Sequence, residues 1–155
     1  MRKRSAYKPK GVRLDVMAWL KQGMAPMASH SEAAMLKLKN HAAMDELVKG
    51  RGTRDHCDVV IMALNMTEAL SLLRIGDEYR TDINAGQDAM LQMCRRGLTV
   101  GRFVFTGPEL VAVNTAMEIH DAQLDACTIA EMERAIKLVE YTVRTKRAHV
   151  IEAIA

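Results

Sequence analysis

Four side chains near residue 120 have types and spacing that could do chemistry: Glu118, His120, Asp121 and Asp125, in the run EIHDAQLD. On a helix Glu118, Asp121 and Asp125 fall at i, i+3 and i+7, so three carboxylates share one side and could hold a metal. Di-iron bundles combine Glu from some helices with Glu-x-x-His from others. Here the pattern is Glu-x-x-Asp, and no second helix offers Glu-x-x-His. His120 stands on an apolar seam, where a packed, hydrogen-bonded imidazole is the commoner use. The competing readings are a metal-dependent hydrolytic centre and an ordinary solvated carboxylate face.

The second constellation is charge. Arg2, Lys3, Arg4, Lys8, Lys10 and Arg13 give residues 1–13 a charge of +6 with no acid, whereas residues 14–155 hold 16 basic and 19 acidic groups. Such an arm could neutralise phosphates and attract DNA or RNA without sequence preference, with Tyr7 free to stack on a base. The plainer reading is a solvated leader on an acidic body. A third run, Asp55-His56-Cys57, is not a triad on a helix, because neighbouring side chains point about 100° apart. The chain holds no GxGxxG, GxxxxGK[ST] or GxSxG, so nothing marks a phosphate loop or a nucleophile elbow.

The bulk composition points to a helical core. Hydrophobic residues make up 49% and aromatics only 4%, with twelve Met, so the core is aliphatic and Met-rich. At 155 residues the chain can bury such a core without staples. Cys57, Cys94 and Cys127 have no CxxC spacing and sit in apolar helical contexts, which predicts buried free thiols in a reducing cytoplasm. No signal peptide and no membrane-length apolar run is visible, so the expected setting is cytoplasmic, away from membranes.

Apolar periodicity and cap signals then lay out the helices. Residues 53–75 form the longest one and carry two apolar surfaces. Val59, Met62, Met66, Ala69 or Leu70, and Leu73 make the main stripe. Cys57, Ile61, Leu64, Leu72 and Ile75 make a patchier one, broken by Glu68 and Ser71. A helix apolar on two sides is central. Before it, residues 1–11 read as a flexible arm. A short helix at 12–22 follows, with Leu14, Met17, Ala18 and Trp19 on one side, and its Trp docks it on the body. Capping boxes at 29–32, 106–109 and 128–131 open three further helices. The first of these buries Met35, Leu38, Ala42, Leu47 and Val48 and stops at Gly50. A helix at 77–96, weakened by Gly86, leads to an ordered loop at 97–106 packed by Phe103 and Phe105. In the last two helices Leu110, Val113, Met117, His120 and Leu124, then Ile129, Met132, Ile136, Val139 and Val143, repeat a 3, 4, 3, 4 spacing. This predicts an antiparallel hairpin over 106–148.

The run GRFVFTGPELVAVNTAMEIHDAQLDACTIAEMERA, with the opening RKRSAYKPKGVRLDVMAWL, resembles a group of small proteins encoded in bacteriophages and prophages. The resemblance implies a phage setting and assigns no residue a role. Altogether the sequence predicts an all-α, single-domain bundle of five or six helices over 12–155, with a central buried helix and a C-terminal hairpin. The expected function is non-catalytic binding of a host or phage macromolecule, with no cofactor. The partner is a protein, or alternatively DNA or RNA held by the arm, and the spaced seams could pair two copies into a homodimer.

Overall fold

The computed structural model describes residues 30–145. The arm at 1–11, the helix expected at 12–22, the cap residue Ser29 and the basic C-terminal end from 146 lie outside them. The described chain forms α1 (His30–Val48), α2 (Arg54–Leu72), α3 (Arg80–Val100), α4 (Gly107–Ala126) and α5 (Ile129–Arg144), with a 3-10 turn at Asp77–Tyr79 before α3. There is no β-strand among the described residues.

Cap chemistry sets most of these bounds. Thr106 and Glu109 open α4 reciprocally: the Glu109 amide donates to Thr106 Oγ1 at 3.4 Å, and the Thr106 amide to Glu109 Oε2 at 2.8 Å. Thr128 and Glu131 do the same for α5 at 3.2 and 2.7 Å. At the end of α1, Gly50 takes the left-handed conformation at φ 71°. Its amide and that of Arg51 reach back to Leu47 O and Glu46 O. α2 ends the same way but earlier than Gly76 suggests. Arg74 is the left-handed residue, at φ 70°, and the Arg74 and Ile75 amides close on Ser71 O and Leu70 O.

α3 corrects the expected loop at 97–106. The helix runs through Gly97 to Val100, and Gly101 is the left-handed stop, at φ 80°. Gly97 is no breaker because its missing side chain is a packing device: a Cβ there would overlap the Phe103 ring. Only 101–106 is irregular, and Phe103 and Phe105 do pack it against the core.

α2 is central, lying against α1, α3, α4 and α5. Its buried side is rotated from the main stripe read in sequence. Cys57, Val60, Ala63, Leu64, Thr67, Leu70 and Ser71 face inward, and Met62 is 52% exposed. Thr67 and Ser71 tolerate burial because their hydroxyls donate to Ala63 O and Glu68 O in their own helix. α1 differs more, although Leu47 is buried as expected. Ala33, Asn40, Ala43, Met44 and Leu47 are buried, whereas Met35, Leu38, Ala42 and Val48 are exposed. In α5 the buried residues are Met132 and Ala135, and Ile136 and Val143 are exposed. The α4 seam stands as read, with Val113, Met117, His120 and Leu124 buried.

The close antiparallel pair is α3 with α4, not the expected C-terminal hairpin. α4 and α5 diverge after their short connection, and each lies against α2 instead. The reason sits in α3 and α4: Gly86 of α3 faces Ala112 and Ala116 of α4, so the two backbones approach closely. The buried residues of α5 join Leu70 of α2 and Leu124 and Cys127 at the end of α4 in a second, smaller core cluster. The main core is aliphatic and Met-rich as expected, with Met44, Met90, Met93 and Met117 buried. Each such side chain contributes roughly 1.5–3 kcal/mol by leaving water.

Candidate functional site

The α4 residues read as metal candidates are separated by structural pairings. Asp121 Oδ2 lies 2.6 Å from His41 Nε2, and Asp125 Oδ1 accepts from Lys37 Nζ at 2.6 Å, so both carboxylates tie α4 to α1. Glu118 is exposed. His120 is buried, with Nδ1 2.9 Å from Thr67 Oγ1. The single Thr67 hydroxyl proton already goes to Ala63 O at 2.8 Å, so His120 Nδ1 carries the proton and donates. Burial pushes its pKa down to about 4, against the weaker pull of Asp121, and so favours the neutral ring near pH 7. Among the described residues, no three His, Cys, Asp or Glu side chains converge as ligands. This arrangement is a packed helix interface.

Two residues missed in sequence complete that interface. Gln123 Nε2 donates to Thr67 O at 3.0 Å and to Ile75 O at 2.7 Å, fastening the end of α2 to α4. Asn40 of α1 is 3% exposed, a polar residue at a core position. Gln123 lies at i+3 from His120, so the seam's own periodicity could have revealed it.

The run Asp55-His56-Cys57 resolves into a cap and a core residue. His56 Nδ1 accepts from the Thr53 amide at 3.0 Å and closes the start of α2. Cys57 turns inward against Cys94. Its hydrogen bond to that thiol, with burial, pushes the Cys57 pKa up. All three cysteines are buried and free.

The α3–α4 junction carries a two-bonded ion pair. Arg96 binds Glu109 through two bonds, Nη1 to Oε1 at 2.9 Å and Nη2 to Oε2 at 2.6 Å, and Nη2 also donates to Val104 O at 2.9 Å. The Arg96 guanidinium holds the Glu109 carboxyl below its usual range. One arginine therefore fixes the 101–106 loop and the cap of α4 together.

What remains as a site is a groove. α3 and α5 flank α2 without packing along each other and leave between them a groove of about 490 Å³. Ile61, Leu64 and Ala69 of α2 form its floor, with Met90 and Leu91 on one side and Leu138 and Val139 on the other. Leu72 and Val143 line its edges at 54% and 56% exposure. The rim is polar. Gln87 Nε2 donates to Glu68 Oε2 at 3.1 Å and to Asn65 Oδ1 at 3.4 Å. Glu68 and Asp88 have no ion-pair partner among the described residues. The floor is the second apolar surface of the central helix, read in sequence as covered and in fact half open. The groove therefore joins an apolar floor to a rim of carboxylates and amides.

The six basic residues Arg2, Lys3, Arg4, Lys8, Lys10 and Arg13 lie outside the described residues. No helix among the described residues is long and apolar enough to cross a membrane. Compared with known proteins, the chain matches no family model, no curated protein and no solved structure.

Proposed function

We propose that this protein is a small non-catalytic interaction module, in a phage setting, whose α2–α3–α5 groove takes an amphipathic helix of a protein partner. The observation that carries the reading is the groove itself: an apolar floor flanked by two helices, with a volume of about 490 Å³, the kind of surface that takes the apolar face of an amphipathic helix. Glu68 and Asp88 at its edge favour a partner helix with cationic flanks. Met90 in the α3 wall adds a soft, adaptable side chain of the kind that suits a helix ligand.

The test is affinity capture from a host lysate with half the sample treated with nuclease, using the wild type, Leu72→Lys and Val143→Lys. Both side chains are exposed in the free protein, so charging them leaves the fold within about 0.5 kcal/mol of wild type. The wild type is expected to hold a specific protein after nuclease, and each groove variant to hold it about tenfold less, a loss of roughly 1.4 kcal/mol. Equal capture by the variants overturns the groove assignment. Loss of all captured material to nuclease instead supports the alternative, DNA or RNA bound through the basic arm at 2–13.

A further inference from the structure

We propose that Cys57 and Cys94 are a redox pair, which a small peroxide closes to a reversible disulfide between α2 and α3. A buried thiol is usually plain core filler, and Cys127 is used that way: its Sγ donates to Leu124 O at 3.9 Å, and it packs in the smaller core cluster. Cys57 and Cys94 differ because they meet. α2 and α3 are packed neighbours, and both side chains lie in the main core at 2% exposure. The Cys57 thiol is hydrogen-bonded to the Cys94 sulfur. Sulfurs in such contact have a short gap to close to the S–S length of about 2.0 Å, within reach of side-chain rotation.

The pair also sits where a small oxidant can reach it. Cys57 is in the first turn of α2, its amide bonded to Thr53 O at 3.2 Å, and Cys94 is in the second turn from the end of α3. Helix ends open locally at lower free energy than helix middles, which admits a molecule the size of hydrogen peroxide. The two sulfurs then have different parts. The hydrogen bond given by Cys57 pulls the Cys94 thiol pKa down, against burial and the nearby Asp58, so Cys94 is the attacking sulfur. It bonds to one peroxide oxygen, the O–O bond breaks, and the departing oxygen leaves as water with the Cys94 proton. The Cys57 sulfur next attacks the Cys94 sulfenic acid. The S–S bond forms, the S–O bond breaks, and the hydroxyl leaves as water with the Cys57 proton. Two thiols thus give up two electrons, and one hydrogen peroxide becomes two waters. The pair lies in the core between α2 and α3 and does not depend on what fills the groove.

The test treats the folded full-length protein with hydrogen peroxide, removes the excess with catalase, and denatures it in the presence of iodoacetamide. Peptide mapping by mass spectrometry then locates each sulfur. In the wild type and in Cys127→Ser the expected product has lost the mass of two hydrogens and carries one intrachain Cys57–Cys94 bridge. Cys127 of the wild type is recovered alkylated, and dithiothreitol restores all three thiols. Cys57→Ser and Cys94→Ser should form no bridge, and in Cys57→Ser the sulfenic acid on Cys94 should be trapped by dimedone. The wild-type map needs no variant to fold, so it decides the matter alone. Three free thiols after peroxide, a bridge that includes Cys127, or a bridge only between two chains would each overturn the pairing.

Discussion

His120 shows how a reactive side chain becomes a structural one. Its Nδ1 proton is committed to Thr67, and its Nε2 is buried without a partner among the described residues. Charging the ring means placing a proton on Nε2 between α2 and α4. The folded pKa of about 4 lies below the ordinary 6.5, so the unfolded chain takes up the proton first. The stability that comes from keeping the ring neutral is complete above pH 6.5 and drains as pH falls toward 4. Between pH 6.5 and pH 5 the wild type should lose about 2 kcal/mol of unfolding free energy, read by urea titration. His120→Leu should flatten that slope, since Thr67 still donates to Ala63 O. If the variant loses as much as wild type over this interval, the acid sensitivity belongs to another group. The histidine's place on a seam was legible in the sequence. Its tautomer was not, because that depends on where a hydroxyl 53 residues away sends its proton.

At the scale of the element, the α3–α4 pair teaches most. Gly86 costs α3 about 1 kcal/mol of helix propensity, so from sequence it counts as a weakness. Its benefit depends on Ala116, thirty residues on, whose Cβ fills the space a side chain would need. Gly86→Ala should therefore destabilise by about 1–2 kcal/mol despite the better propensity, because overpacking against a short, fixed Cβ outweighs it. Ala116→Gly in the same chain should restore most of the loss, and a thermal-denaturation cycle over the four variants measures the coupling. Additive losses would mean that the two sites do not share this contact. The same locality explains the other differences. Cap boxes at Thr106 and Thr128 are written in neighbouring residues and were legible. Which of two apolar stripes on α1 or α2 faces inward is settled by partners: Asn40, Thr67 and Ser71 hold core positions that residue type alone assigns to solvent. The groove was half legible, since the second stripe of α2 supplies its floor but nothing local says that α3 and α5 stand apart.

Across the whole molecule the packing is uneven. α1 to α4 surround the large core, whereas α5 packs chiefly on α2, touches only the end of α4, and buries only Met132 and Ala135 fully. Fewer buried contacts hold it, so α5 is the helix whose release costs least. Native-state hydrogen exchange should show α5 amides opening at a lower free energy than those of α2 to α4, with weak denaturant dependence. Exchange of α5 only with global unfolding would contradict this. One wall of the groove is then a foldon of its own. A ligand seated there would first show itself as slowed exchange in α5, before any shift in the rest of the bundle. Its affinity would include the cost of holding that wall in place, so a mutation that anchors α5 to α2 could tighten binding without touching the ligand.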